Sequence, residues 1–466
     1  MTIKTFPLVL VLAVVCHGQP DPATLAGRAS AIVQSALGRQ EATDMLRRLC
    51  EAAPQRLSGS PGAAAAVEWA RQEMERMGFD NVRLEPCTVP HWERGELAEL
   101  TLLADGGGRA LPILALGGSV ATPADGIEAE VIEVRDFEEL RALGEAARGR
   151  IVFFNRPMDP AERDPFRAYG GAVDQRSRGA IEAAKAGALA AIVRSMTMRL
   201  DDFPHTGTMH YEEGVAQVPG VAVSTLGAER LSAQIARGGP LRARLRLDCK
   251  TYPDAPSFNV VGELLGSEHP EQVLVVGGHL DAWDVGQGAH DDGAGCVQAL
   301  EALRLIRAAG LKPRRTIRAV MFMNEENGLR GGSAYYAAHL EQMDQHVLAL
   351  ESDRGGFSPR GFTSDAGPEA MAVLREVAAL LKPIGIADVF PGGGGVDISP
   401  MRASGVPQVG YLPDGQRYFD FHHSERDVLE AVHPRELQLG AAAMAALLYV
   451  VADLPETLPR NAPGTR

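Results

Sequence analysis

At 466 residues the chain is long enough for about two or three domains, each burying its own core. Hydrophobic residues at 45% and charged residues at 23% form an ordinary globular balance, which excludes a disordered or fibrous chain. A formal net charge of -14 argues against a nucleic-acid partner, because phosphate binding needs clustered Lys and Arg.

The first residues, MTIKTFPLVLVLAVVCHGQPDP, join an early lysine to an apolar run from Phe6 to Val15. That run is too short to span a bilayer, so residues 1–18 are expected to be a signal peptide cut near Gly18, giving a secreted or periplasmic protein. Lipoprotein anchoring at Cys16 is the weaker alternative, because Val15 is larger than the small residue such processing wants. No later stretch is expected to be apolar enough for a membrane helix, nor to enter a membrane stably. Cys50, Cys87, Cys249 and Cys296 lack a CxxC spacing, which disfavours a thiolate zinc site and leaves one disulfide open.

Residues 24–79 are predicted helical, with Ser60-Pro61 as an N-cap and first-turn pair and Gly78 as a stop. VRLEPCTV and ELTLLA follow as strands, completing the first part of a main domain over 19–110. Between 111 and 248 short strands such as AEVIEV, GRIVFFN and LAAIVRSM alternate with helices, as in a self-contained inserted α/β domain. His205 and His210 within it belong to no dense group of acids and imidazoles, and both are expected at the surface. The main domain resumes over 249–466. From 272 onward, strand, loop and helix repeat, which implies a mostly parallel mixed sheet flanked by helices.

Polar groups then gather where such sheets bind ligands, at the carboxyl ends of strands. His279 follows QVLVVGG, Glu325 and Glu326 follow TIRAVMFMN, Asp353 follows HVLALES, and Asp291 lies twelve residues beyond His279. His423 in FDFHHSERD comes after the VPQVGYL strand. Any one of these is an ordinary solvated loop residue; their recurrence at successive strand ends is not. Three carboxylates converging with two imidazoles would repel or take up protons without a counter-charge, and two zinc ions per chain supply it with suitable N/O ligand chemistry. Asp281, two residues after His279, is expected to hold the second N–H of that imidazole. The run PGGGGVDISP lacks the Lys-Ser/Thr of a phosphate loop and is read as a wall of the substrate pocket, with Asp397 a contact for a substrate ammonium group. Neither GxSxG nor HExxH occurs.

GGHLDAWDVGQGAHDDGAG, MNEENGLRGGSAY, ESDRGGF and FHHSERD together resemble the co-catalytic dizinc aminopeptidases, and within them the carboxypeptidase Q-like peptidases. The resemblance spans most of the mature chain, the insert being similar to the protease-associated domain of that group. It implies that His279 and Asp353 hold one zinc, that Glu326 and His423 hold the other, and that Asp291 bridges them. It also implies Glu325 as general base, a cis bond between Asp291 and Asp292, and a homodimer. His423 is preferred to His422 because Asp427 completes HxxxD from it, with His422 kept as a second candidate in the substrate site. Val428 and Arg426 depart from the usual residues after that motif, which bears on substrate preference. The function expected is a secreted metallopeptidase acting on dipeptides or on the first residue of short peptides. The alternatives are a glutamate-releasing zinc carboxypeptidase or deacylase, and a non-catalytic receptor-like relative. The short gap to Asp291 disfavours the first, and the intact ligand set disfavours the second.

Overall fold

The computed structural model describes residues 22–104 and 107–462. The expected signal peptide and Cys16 lie outside the described residues. Three helices open the structure, Pro22–Leu37, Glu41–Ala52 and Pro61–Arg76. The third begins as its sequence dictates: the Ser60 side chain accepts the Ala63 N–H, and Pro61 takes the first turn, where a missing N–H costs nothing.

Two eight-stranded sheets organise the rest of the described chain. The first runs in the order Asp80–Glu93, Lys250–Leu264, Arg315–Phe322, His269–His279, His346–Glu351, Gln408–Pro413, Pro359–Ser364, Asp388–Pro391. Its central four strands are parallel, and antiparallel pairs flank them. Their near-continuous apolar runs are buried on both faces, as parallel strands under helices must be. The helices Ala294–Ala308 and Pro434–Ala452 cover one face. Pro434–Ala452 is long and apolar enough by composition to cross a bilayer, contrary to the sequence expectation. Its residues are nearly all buried in the core, which accounts for that composition.

The second sheet takes all its strands from residues 98–247. Ala98–Ala104 and Gly107–Leu111 belong to it, so it begins ahead of residue 111. Both of its faces reach the first unit. Leu57, Trp92 and Trp283 join the core on one side; Phe357, Tyr418, Phe419 and Phe421 join the core on the other. The four described cysteines are all buried and free, so none of them forms the disulfide left open by the sequence.

Register sets the site. His279 pairs with Phe322, and Gly277 pairs with Glu351, so Asp353, two residues past Glu351, comes level with His279. Gly278 has no side chain to block Asp292, whose carboxylate accepts the His279 N–H at 3.1 Å. The loop after His279 is held from beneath by Arg56, fully buried, which donates to Leu280 O at 2.7 Å, Gln287 O at 2.5 Å and Gly288 O at 2.7 Å. Arg56→Met should therefore leave Leu280 O without a donor and take one donor each from Gln287 O and Gly288 O, lowering unfolding free energy by about 1–3 kcal/mol, measured by chemical denaturation. A loss below about 1 kcal/mol would show that the loop does not depend on Arg56.

Candidate metal centre

The stretch 277–296 carries six acidic or imidazole side chains, His279, Asp281, Asp284, His290, Asp291 and Asp292, and the structure sends them to different places. Asp284 turns away and pairs with Arg94 at 2.9 and 2.5 Å. His290 stacks on Phe357 with ring centres 4.2 Å apart. Asp292 is occupied with the N–H groups of His279 and Gly295. His279 and Asp291 face the cluster.

Asp291 stands between two groups of donors. Its Oδ1 lies 3.2 Å from His279 Nε2, which is 3.5 Å from Asp353 Oδ1. Its Oδ2 lies 3.2 Å from His423 Nε2, which is 3.0 Å from Glu326 Oε2. One carboxylate thus offers an oxygen to each of two sets, each holding one imidazole and one further carboxylate. His422 is more distant, 3.8 Å from Asp291 Oδ2, and stacks on His423 with centres 3.5 Å apart.

The donor set fits divalent cations. Asp291 Oδ2, Glu326 Oε1 and Asp353 Oδ1 are buried and make no hydrogen bond. Oxygens so placed are costly unless a cation or donor meets them. The titrations carry the same imbalance. Burial alone would lower the pKa of His423, but Glu326 and Asp291 outweigh it and push it up to about 10. His279 is likewise raised against its burial by Asp291 and Asp353. Both shifts show how strongly the clustered carboxylates favour positive charge at this place. His279, Asp291 and Glu326 have ligand atoms within 4.8 Å of one another, as do Asp291, His422 and His423. His279, Asp292 and Asp353 form a third such group, although both Asp292 oxygens already accept backbone N–H groups.

Adjacent acids part company at the strand end. Glu326 is buried against His423, whereas Glu325 is partly exposed. Burial, with the charges of Asp353 and Glu326, pushes Glu325 well above the usual carboxylate value. Asp281 serves differently from its expected role. The backbone carbonyl of Asp281 meets His279 Nδ1 at 2.9 Å, while its carboxylate stands 3.9 Å off. That carboxylate accepts the N–H groups of Asn324 at 2.7 Å and Glu325 at 3.1 Å. It is drawn there because two buried N–H groups at a strand end need an acceptor.

Asp397 also departs from expectation. Val396 N and Ile398 N donate to Glu351, and this turns Asp397 inward, where it is fully buried and presents no surface to a substrate ammonium group.

Sequence reasoning missed the contribution of the second unit. His205 is buried rather than exposed, and its Nδ1 donates to His422 O at 2.6 Å. Thr206 N donates to His423 O at 2.9 Å, and Thr206 O faces His423 Nδ1 at 3.3 Å. Thr208 Oγ1 donates to Glu326 O at 2.6 Å. His423 has φ +60°, a left-handed conformation that costs a non-glycine residue about 1–2 kcal/mol, and these bonds hold it there. No local pattern could have revealed this, since the partners are more than one hundred residues apart.

The peptide between Asp291 and Asp292 is cis. Asp427 accepts the N–H groups on its near side, from His290 at 2.6 Å and Asp291 at 3.0 Å. Asp427→Asn should replace one of these acceptors by a donor and cost about 1–3 kcal/mol of stability, read by denaturant unfolding with metal chelated. An unchanged midpoint and slope would show that these two bonds contribute nothing.

The family model described as Peptidase family M28 matches residues 259–448. Carboxypeptidase Q from Bos taurus is 42% identical over 418 residues, covering 90% of this chain and 86% of that protein. Carboxypeptidase Q from Homo sapiens is 41% identical over the same shares. Among solved structures, a peptidase M28 precursor from Shewanella amazonensis SB2B superposes with a TM-score of 0.91 at 33% identity, covering 95% of this chain and all of that one. A zinc aminopeptidase from Bacillus subtilis shares the fold, with a TM-score of 0.64 at 20% identity over 90% of this chain and 98% of that one.

Proposed function

The chain belongs to peptidase family M28 and is a metallopeptidase, and from that premise we propose a zinc-dependent exopeptidase with two metal ions per chain, acting on dipeptides or on the first residue of short peptides. The observation that carries this reading is the shared Asp291 carboxylate, one oxygen toward His279 and Asp353 and the other toward His423 and Glu326. In this reading His279 and Asp353 hold one zinc, Glu326 and His423 hold the other, and Asp291 bridges. When bound, the zinc ions supply Lewis acidity, polarising a carbonyl and making water a nucleophile at neutral pH.

The chain's own residues do the rest. Glu325 takes a proton from the attacking water and delivers it to the leaving amine. Asp281 fixes the Glu325 backbone, so the carboxylate reaches outward while Glu326 stays inward. The acidic surroundings receive the free ammonium group of the substrate. Export through the N-terminal segment, a protease-associated identity for the second unit and assembly as a homodimer are parts of the same proposal. N-terminal sequencing of exported protein and sedimentation of the mature chain test the first and last of these.

Purified protein should contain about two zinc ions per chain, and chelation should abolish activity reversibly; an active metal-free preparation would overturn the reading. Glu325→Gln should keep its zinc while turnover falls on the order of 10²–10⁴-fold. Glu326→Gln should instead lose one zinc. If Glu325→Gln is the variant that sheds metal, the two roles are reversed. Unblocked dipeptides should be cleaved in preference to their N-acetylated forms, and the opposite preference would favour the deacylase alternative.

A further inference from the structure

The cluster opens to one side. His279, Asp291, Glu326 and His423 are nearly closed off, whereas Asp353 keeps 23% of its side chain exposed and Glu325 is partly exposed. The most exposed edge of the cluster is thus at Asp353 and Glu325. Arg354 is the next residue, its Cα about 3.8 Å from that of Asp353. It enters a cleft of about 740 Å³ between the two units, walled on the far side by residues 162–167 and on the near side by Arg360 and residues 412–416.

Most charges in this cleft are already satisfied. Arg360 pairs with Asp414 at 2.7 Å and Arg167 with Glu162 at 3.4 Å. Asp164 accepts the Phe166 N–H at 3.0 Å and caps the short helix that follows. Arg354 and Arg163 make no ion pair among the described residues. The Arg354 guanidinium lies over the Phe166 ring, 4.6 Å from its centre. A guanidinium seated on a ring keeps its N–H donors in its own plane, free for the bidentate recognition of a carboxylate. Phe166 is fixed in turn: it stacks on Tyr418 at 5.2 Å and meets Phe419 at 5.0 Å, and both rings pack against His422 at 5.1 Å. The seat of Arg354 and the imidazole of His423 thus share one aromatic stack.

We propose that Arg354, seated on Phe166 of the second unit, binds a substrate carboxylate, so that the enzyme recognises the carboxyl end of a short peptide while the metal cluster engages the scissile bond. This rests on the exopeptidase reading above. Two residues span at most about 7 Å, so on this proposal the preferred substrate is a dipeptide, whose terminal carboxylate stays near the exposed edge of the cluster at Asp353. Longer peptides would carry that charge past Arg354. The charge that selects substrates then comes from the peptidase unit and its orientation from the second unit.

The test compares kcat/KM for one dipeptide as the free acid, as its C-terminal amide, and as an amide whose last residue is Asp. The wild type should prefer the acid to the neutral amide by about tenfold or more. Arg354→Met should bring that ratio toward one, and Arg354→Lys should restore part of it. Because the ratio is measured on a single preparation, a partly misfolded variant does not disturb it. Recovery of the preference by the Asp-containing amide would place the recognised carboxylate on a side chain and overturn recognition of the terminus. Equal cleavage of acid and neutral amide by the wild type overturns the proposal and leaves the exopeptidase reading intact, as does a ratio unchanged in Arg354→Met. Cleavage of none of the three overturns both.

Discussion

Everything at this site follows from the charge on one buried carboxylate. Asp291 is 5% exposed and faces an imidazole on each side, with Asp353 and Glu326 immediately beyond. Three carboxylates in so small a volume can persist only beside positive charge. The same carboxylates raise the proton affinity of the His279 and His423 imidazoles above its usual value. Metal ions bound in the same space would replace such protons, so metal affinity and pH are necessarily linked here.

A second group of acids makes that concentration of charge possible without facing it. Asp281 accepts from Asn324 and Glu325, Asp292 from His279 and Gly295, and Asp427 from His290 and Asp291. Each converts two buried N–H groups at a strand or helix end into a fixed point, and each fixed point sits next to a member of the cluster. Removing any of the three would leave the converging side chains in place by composition but unaligned by geometry, which for closely spaced donors is the larger loss.

This division marks the limit of what could be read along the chain. The strand-end rule and the motif spacing were enough to gather His279, Asp291, Glu325, Glu326, Asp353 and His423. They could not distinguish Asp281 the ring partner from Asp281 the backbone acceptor, because both lie within reach of a residue two positions after His279. Asp397 was misread because the N–H groups of its neighbours Val396 and Ile398 bind Glu351, far back in the sequence, and bury it, which leaves no local mark. The strand Lys250–Leu264 went unread for a different reason. Pro253 and Pro256 interrupt its pattern, and only its pairing with Asp80–Glu93 and Arg315–Phe322 makes it a strand. The chain's own polarity misled at His205, where the polar group is buried because a carbonyl from the other unit needs a donor.

The two halves of the cluster consequently have different foundations. His279 ends one strand and Asp353 lies two residues past the end of its parallel neighbour, so the register of the first sheet brings them level. His423 and Glu326 lie on loops, one of them in a left-handed conformation, and both are tied by their backbones to residues 205–208 of the second unit. That unit is in turn locked to the first by Trp283, which packs in the core of the second sheet, and by the Arg94–Asp284 pair. Loops draw their stability from what they pack against. The half of the site around His423 therefore depends on an interface that the half around His279 does not need, and any loosening between the two units reaches His423 and Glu326 first.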